Sequence, residues 1–152
     1  MMSEGEAPRS VLFVCTHNSI RSPMAEALTR LRYGPLMRVD SAGVHDGALA
    51  DPLAVLVMDE LGADLTKHRP KELADLVADE AEPFELIVTL SPEAHHRALD
   101  LIPQLGKAAE YWPTFDPSLA EGSREQRLSE YRLVRDGLDQ RIKTRFPRPS
   151  TG

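Results

Sequence analysis

Residues 11–15, Val-Leu-Phe-Val-Cys, are an unbroken apolar run that constrains the fold more than any other stretch of the chain. A strand without polar alternation is buried on both faces, the habit of parallel sheets covered by helices above and below. Helix-like and strand-like segments alternate along the rest of the chain. After Pro23 the apolar positions Met24, Ala27, Leu28 and Leu31 recur at helical spacing until Gly34 and Pro35 stop the helix. Residues 37–41 (MRVDS) predict a second strand, followed by the loop AGVHDGALA. Asp51-Pro52 supplies an N-cap and a first-turn proline, and Gly62 ends that helix. A short helix is predicted over Leu73–Val77 and a strand over 84–90 (FELIVTL). A helix then opens at Ser91-Pro92-Glu93, and 107–112 (KAAEYW) predicts one more strand. Ser123 with Gln126 forms a capping box for a last helix to about Phe146, with Leu128, Tyr131, Val134, Leu138 and Ile142 on one stripe. Strands alternating with helices predict an α/β domain with a parallel sheet and helices on both faces.

At 152 residues the chain suits one well-buried domain. Its net charge of −6 speaks against nucleic acid, whose phosphates ask for a basic face. No apolar run approaches the roughly 20 residues that span a bilayer, so no membrane partner is expected. The opening MMSEGEAPRS has no long apolar core, and no secretory signal is expected there. A single cysteine cannot close an internal disulfide, in keeping with a reducing, cytoplasmic location.

Open parallel sheets carry their ligand sites beyond the carboxyl ends of the strands, and Cys15 ends the strongest strand. Residues 15–22, Cys-Thr-His-Asn-Ser-Ile-Arg-Ser, bridge strand and helix as C-x5-R-S. A loop of this length can curl so that its backbone N–H groups and the helix N-terminus form a cradle for a tetrahedral oxyanion. Arg21 would grip two of the anion's oxygens through its planar fork. Cys15 would lie on the floor, where a positive field favours the thiolate, a nucleophile facing a bound electrophile. Ser22 could donate a hydrogen bond to the sulfur, and Asn18 tolerates the left-handed backbone that such a loop demands. A lone cysteine at a strand end is more often a packed hydrophobe, and C-x5-R alone is a weak pattern. The strand before it, the helix after it and the serine behind the arginine favour the cradle. Asp116 before Pro117 reads, by itself, as a turn residue.

The stretch VLFVCTHNSIRSPMAEAL (11–28), followed by DSAG (40–43) and FDP (115–117), resembles the low-molecular-weight protein tyrosine phosphatases, a superfamily shared with thioredoxin-coupled arsenate reductases. The resemblance covers roughly Ser10 to Phe146. It implies a single domain over 10–146 with a flavodoxin-like four-stranded parallel sheet, and flexible tails at 1–9 and 147–152. It makes Cys15 the nucleophile, Arg21 the phosphate clamp and Asp116 the general acid. Thr16, His17, Asn18, Ser19, Ile20 and Ser22 would form the substrate-binding loop, with Ser41 supporting Asn18. The implied reaction is phosphomonoester hydrolysis, nominally of phosphotyrosine in a protein, through a phosphocysteine. The leaving group needs a proton from an acid. No metal or cofactor is implied, because backbone N–H groups and Arg21 neutralise the transferring group. The expected partner is a phosphorylated protein or a small phosphomonoester, and the loop would bind phosphate- or arsenate-like oxyanions.

The sequence departs from either branch of the superfamily. RSPMAEA resembles the phosphatases, whereas CTHNS and HRPKEL (68–73) resemble the arsenate reductases. Ile20 stands where the phosphatases usually carry a second cysteine, and Ser118-Leu119 where they place tyrosines. Thioredoxin-coupled reductases pass electrons through two further cysteines, and a disulfide relay cannot run on one thiol. Three readings are open: a cysteine-dependent phosphatase, an arsenate reductase using an external thiol, and a non-catalytic oxyanion- or phosphopeptide-binding module. His95 and His96 point to different sides of a helix and predict no metal site. His68 is expected to be a structural hydrogen-bonding residue. His17 is open between substrate and solvent, and Trp112 between the pocket rim and the core.

Overall fold

The structure, a computed structural model, describes residues 7–45, 47 and 49–147; of the tails expected at 1–9 and 147–152, residues 1–6 and 148–152 lie outside the described residues. In chain order the elements are β1 (Ser10–Cys15), α1 (Arg21–Tyr33), β2 (Arg38–Gly43), α2 (Pro52–Asp59), α3 (Leu73–Ala78), β3 (Leu86–Thr89), α4 (Pro92–Leu99), β4 (Ala109–Tyr111) and α5 (Arg124–Arg145). Short 3₁₀ turns at Gly34–Leu36 and Pro117–Leu119 complete them. Three helices begin at the caps their sequences announce. Asp51 accepts from the N–H of Leu53 at 2.8 Å, Ser91 from that of Ala94 at 3.2 Å, and Ser123 from that of Gln126 at 3.1 Å. α1 differs: it starts at Arg21 with no side-chain cap and no acidic residue in its first turn.

The four strands form one parallel sheet in the order β2-β1-β3-β4, the flavodoxin-like arrangement implied by the resemblance. β1 lies inside, with Val11 to Val14 wholly buried. Val11, Phe13 and Cys15 face a core shared with α1, α2 and α5, while Leu12 and Val14 face a smaller core built with α3 and α4. The unbroken apolar run is thus explained by helices on both faces. The chain turns one way from β1 to β2 and the other way to β3. That reversal opens a crevice at the carboxyl end of β1, where Cys15 stands. Among the described residues no helix is long and apolar enough to cross a membrane.

Several boundaries move for reasons visible in the packing. β2 runs on to Gly43 because Ala42 and Gly43 pair with Val14 and Cys15. β3 is shorter than the apolar run 84–90, since Phe84 only bridges Gly106. Leu31, expected on the buried stripe of α1, is 50% exposed. The buried arc of that helix is centred on Ala25, Leu28 and Thr29, which leaves Leu31 at its margin. The chain also makes contacts before Ser10: Ala7 packs on the larger core, and the Arg9 carbonyl accepts from the N–H of Arg38.

α5 buries its whole predicted stripe. The hydroxyl of its Tyr131 is buried without a hydrogen-bond partner among the described residues. Burial first, then the Asp51 carboxylate, pushes that phenol well above its ordinary range. Glu60, at the end of α2, ties α2 to α5 by accepting from Arg132 at 2.8 Å and from the buried Arg135 at 2.6 Å. Those bonds, Arg132's first, hold its carboxyl at about 2, below the ordinary 4.5. A carboxyl depressed in the folded state stabilises fully above its unfolded value and loses that contribution as pH falls through the folded one. Glu60→Gln should therefore lower thermal stability at neutral pH, by no more than about 1 kcal/mol because Glu60 and Arg132 are solvated and the buried Arg135 keeps Asp136 and the Val57 carbonyl. Melting curves of the two proteins should converge as pH drops from 4.5 toward 2; a gap independent of pH would refute the ionic account.

Candidate active site

Cys15 reaches the carboxyl edge of the sheet only 2% exposed, and the chain then turns through residues 16–20 into α1. The turn is made at Asn18, whose φ of 55° is left-handed. Asparagine is among the few side-chain-bearing residues that adopt this conformation readily. Its side chain is buried and fully used. Nδ2 donates to Ser22 Oγ at 2.9 Å and to Ser41 Oγ at 3.0 Å, and Oδ1 accepts from the N–H of Lys71 at 3.0 Å. His68 Nε2 lies 2.9 Å from the Asn18 carbonyl, which gives His68 a structural role.

These bonds set the direction of the neighbouring hydroxyls. Each serine accepts from the Asn18 amide and so turns its own proton outward. Ser41 donates to Glu26 Oε1 at 2.6 Å. Ser22 Oγ lies 2.9 Å from Cys15 Sγ, a contact in which either atom can donate, and 3.5 Å from the Ala42 carbonyl, to which it can donate. The N–H of Asn18 approaches the same sulfur at 3.3 Å. A thiolate at Cys15 would accept from both Ser22 Oγ and the N–H of Asn18.

The loop is pinned from outside. The Thr16 carbonyl accepts from the N–H groups of Val44 and His45, the Ser19 carbonyl accepts from that of Asp51 at 3.0 Å, and Thr16 Oγ1 donates to Ser91 Oγ at 3.0 Å. The end of β2 and the stretch after it can come this close because two residues at the crossing, Gly43 and Gly47, have no side chain. A Cβ at Gly43 would stand 2.9 Å from the backbone N of Asn18, and one at Gly47 would stand 1.8 Å from the His17 carbonyl. The N–H groups of His17, Ser19 and Ile20 find no protein acceptor among the described residues. Beside them stands the uncapped N-terminus of α1.

Arg21 Nη1 donates to the Thr114 carbonyl at 2.9 Å, which ties the first loop to the segment that carries Asp116. Asp116 itself caps the 3₁₀ turn: Oδ1 accepts from the N–H of Ser118 at 3.0 Å and from its hydroxyl at 2.7 Å. Its Oδ2 has no hydrogen-bond partner among the described residues. Cys15, Asn18, Ser22 and Ser41 form one bonded cluster; Arg21, in the same loop, bonds Thr114, and the Asp116 side chain, two residues further on, bonds only Ser118 among the described residues. Ile20, counted among substrate-binding residues from the sequence, buries its side chain in the larger core, so only its backbone is left for a ligand. His17 is exposed, its ring 5.9 Å from that of His45, and Ser19 is half-buried. Trp112 is a core residue, 3% exposed and edge-on to Phe13. His95 bonds Thr89 through Nδ1 at 2.8 Å and stacks on Tyr111, while His96 is exposed. Sequence reasoning missed Glu26, Lys71 and Thr114, and it missed why residues 43 and 47 are glycines.

A parallel sheet whose central strand delivers the chain's one thiol into a short loop before an uncapped helix has the build of the small cysteine-loop α/β enzymes. The sequence model described as low molecular weight phosphotyrosine protein phosphatase matches residues 10–146, and the chain belongs to that family. The arsenate reductase of Bacillus licheniformis is 32% identical over 136 residues, covering 89% of this chain and 93% of the reductase. Among solved structures, the YwlE arginine phosphatase from Geobacillus stearothermophilus is similar with a TM-score of 0.70 at 26% identity, covering 90% of this chain and 89% of that one. An arsenate reductase in the phosphate binding state is similar with a TM-score of 0.69 at 25% identity, covering 90% and 95%. The family thus joins enzymes named for phosphate ester and for arsenate chemistry.

Gly43 offers a direct test of the pinned loop. Gly43→Ala places a methyl group against backbone rather than a movable side chain. It should destabilise the fold by about 1–3 kcal/mol, the range for overpacking, as read from urea unfolding. Wild-type stability in this variant would show that the loop moves aside freely.

Proposed function

We propose that the protein is a cysteine-dependent phosphomonoester hydrolase, nominally a protein tyrosine phosphatase, acting through a phosphocysteine. The observation that carries this reading is the sulfur of Cys15 set within hydrogen-bond reach of Ser22 Oγ at 2.9 Å and of the N–H of Asn18 at 3.3 Å, both able to donate to a thiolate. Beside it lie unpaired loop N–H groups and an uncapped helix N-terminus. In this reading the phosphoryl oxygens accept from the loop N–H groups and from Arg21. With Nη1 on the Thr114 carbonyl, Arg21 keeps Nε and Nη2 for two of those oxygens. Sγ attacks phosphorus as the ester P–O bond breaks, and Asp116 gives a proton to the leaving oxygen. The anionic Asp116 then takes a proton from water, which attacks phosphorus, releases phosphate and returns the thiolate. Charge on the phosphoryl group is met by fixed dipoles that need no reorganisation. Phosphate binding, known of one similar arsenate reductase, supports an oxyanion occupant here. The substrate is a phosphorylated protein or a small phosphomonoester.

The names of the sequence relatives support a second reading, arsenate reduction. Arsenate presents nearly the same tetrahedron of oxygens as phosphate. Reduction to arsenite needs two electrons, and two thiols supply them by ending as a disulfide. With one cysteine in the chain, the second must come from an external thiol. The third reading, a binding module without catalysis, leaves the open Oδ2 of Asp116 and the polar groups around the Cys15 sulfur without a purpose.

A leaving-group comparison tests the leading reading. Asp116→Asn keeps an oxygen able to cap the turn at Ser118, so the fold is retained while the acid is lost. For phosphotyrosine, whose phenol has a pKa near 10, kcat/KM should fall about 100- to 10,000-fold. An aryl phosphate with a much more acidic phenol should lose far less. Equal loss on both substrates would assign Asp116 to the turn alone. If the wild type hydrolyses neither ester but consumes arsenate with glutathione, the reductase reading replaces this one.

A further inference from the structure

The backbone on either side of Asp116 is held by bonds of its own. Before it, the N–H of Trp112 donates to the Thr89 carbonyl at 2.8 Å and that of Thr114 to the Leu90 carbonyl at 3.1 Å, which moors the approach to the end of β3. After it, Pro117 is buried. The N–H of Leu119 then donates to the Asp116 carbonyl, and that of Ala120 to the Pro117 carbonyl, each at 3.1 Å. What the backbone leaves undecided is the rotation of the Asp116 carboxyl group.

Ser118 supplies that constraint. Its N–H at 3.0 Å and its hydroxyl at 2.7 Å both donate to Oδ1, and neither donates to Oδ2. The N–H bond alone closes the turn from an aspartate to the residue two further on. Backbone bonds already hold the 3₁₀ turn, so the hydroxyl is surplus to the fold, and its effect falls on the carboxyl group. A protonated carboxyl has one acceptor oxygen and one hydroxyl oxygen. An oxygen that faces two donors leaves no room for a proton of its own. Oδ1 is then the acceptor, and the proton belongs to Oδ2, the oxygen without a hydrogen-bond partner among the described residues.

We propose that Ser118 is a positioning residue for proton transfer: it reserves Oδ1 as an acceptor and keeps the transferable proton of Asp116 on Oδ2. This role rests on the reading of Asp116 as the general acid of a phosphomonoester hydrolase. In the first step the proton passes from Oδ2 to the leaving oxygen as the P–O bond breaks. The two donors then face the carboxylate that is left, and Ser118 itself neither gains nor loses a proton.

Ser118→Ala removes the hydroxyl and keeps the N–H, the proline and the turn. For phosphotyrosine, kcat/KM should fall about tenfold, the worth of one hydrogen bond to a group that becomes charged. For p-nitrophenyl phosphate, whose leaving group needs a proton far less, the loss should stay below about twofold. Ser118→Thr returns the hydroxyl and should restore phosphotyrosine turnover to within about twofold of wild type. In an Asp116→Asn background, adding Ser118→Ala should cost nothing further on phosphotyrosine, because the two residues act as one unit. Equal loss on both esters in Ser118→Ala, no loss on either, no rescue by Ser118→Thr, or additive loss in the double variant would each overturn the proposal. Asp116→Asn measured alongside keeps the two claims apart. Selective loss on phosphotyrosine in Asp116→Asn but not in Ser118→Ala removes the role of Ser118 and leaves the acid standing. No selective loss in Asp116→Asn removes the acid, and the role of Ser118 with it.

Discussion

One left-handed residue holds the site together. Asn18 turns the loop with a φ of 55° and ties it at once to α1, to β2 and to the segment at Lys71. A glycine would make the same turn with less strain, but would leave Ser22 and Ser41 without the amide that orients them. Asparagine alone among the common residues supplies both the backbone conformation and two donors and one acceptor at the end of a short side chain. The hydroxyls are then ordered as a chain from Glu26 through Ser41 and Asn18 to Ser22 and the sulfur. Buried polar networks of this kind are stable only when every member is satisfied, and each of these has a partner.

That cluster could not be held in place by a sheet covered on one face. Phe13 and Cys15 on one side of β1, and Leu12 and Val14 on the other, fasten the strand into two cores. The strand end is therefore a rigid mount, and the loop beyond it is held by neighbours rather than by its own sequence. Close approach at Gly43 and Gly47 and the bond from Asp51 to Ser19 come from the connection between β2 and α2, and the bond from Thr16 to Ser91 from the cap of α4. The second loop is attached more lightly. Arg21 reaches it through one carbonyl, Thr114, and Asp116 is meanwhile engaged with its own turn. A chemical step at Asp116 would need Oδ2, the oxygen that the turn leaves unused.

Family membership and chemical class separate here for a physical reason. The architecture that cradles a tetrahedral oxyanion is indifferent to whether the central atom is phosphorus or arsenic. What distinguishes the branches lies outside the cradle, in further thiols or in aromatic side chains, and this chain has one cysteine and carries Ser118-Leu119 after its Asp-Pro pair. Membership of the family rests on residues 10–146; the reaction has to be argued from Cys15, its donors and its acid.

Local sequence signals determined most of the elements. The unbroken run at 11–15 specified a doubly covered strand, and the caps at Asp51, Ser91 and Ser123 with the stripe on α5 marked helices that the structure contains. These are legible because strand burial, capping and helical periodicity act over a few neighbouring residues. Cys15, Arg21 and Ser22 were legible as a candidate constellation for the same reason, lying within one loop. Only the tertiary structure decided the rest. It turned Leu31 outward and Trp112 inward, because burial depends on which helix lies opposite. It also drew Glu26 and Lys71 into the support of Asn18 and set Thr114 beside Arg21, contacts between residues up to 93 apart in sequence that no local pattern encodes. The sequence by itself determined which strand carries the thiol and which residues surround it; the packing of distant segments decided where those side chains point.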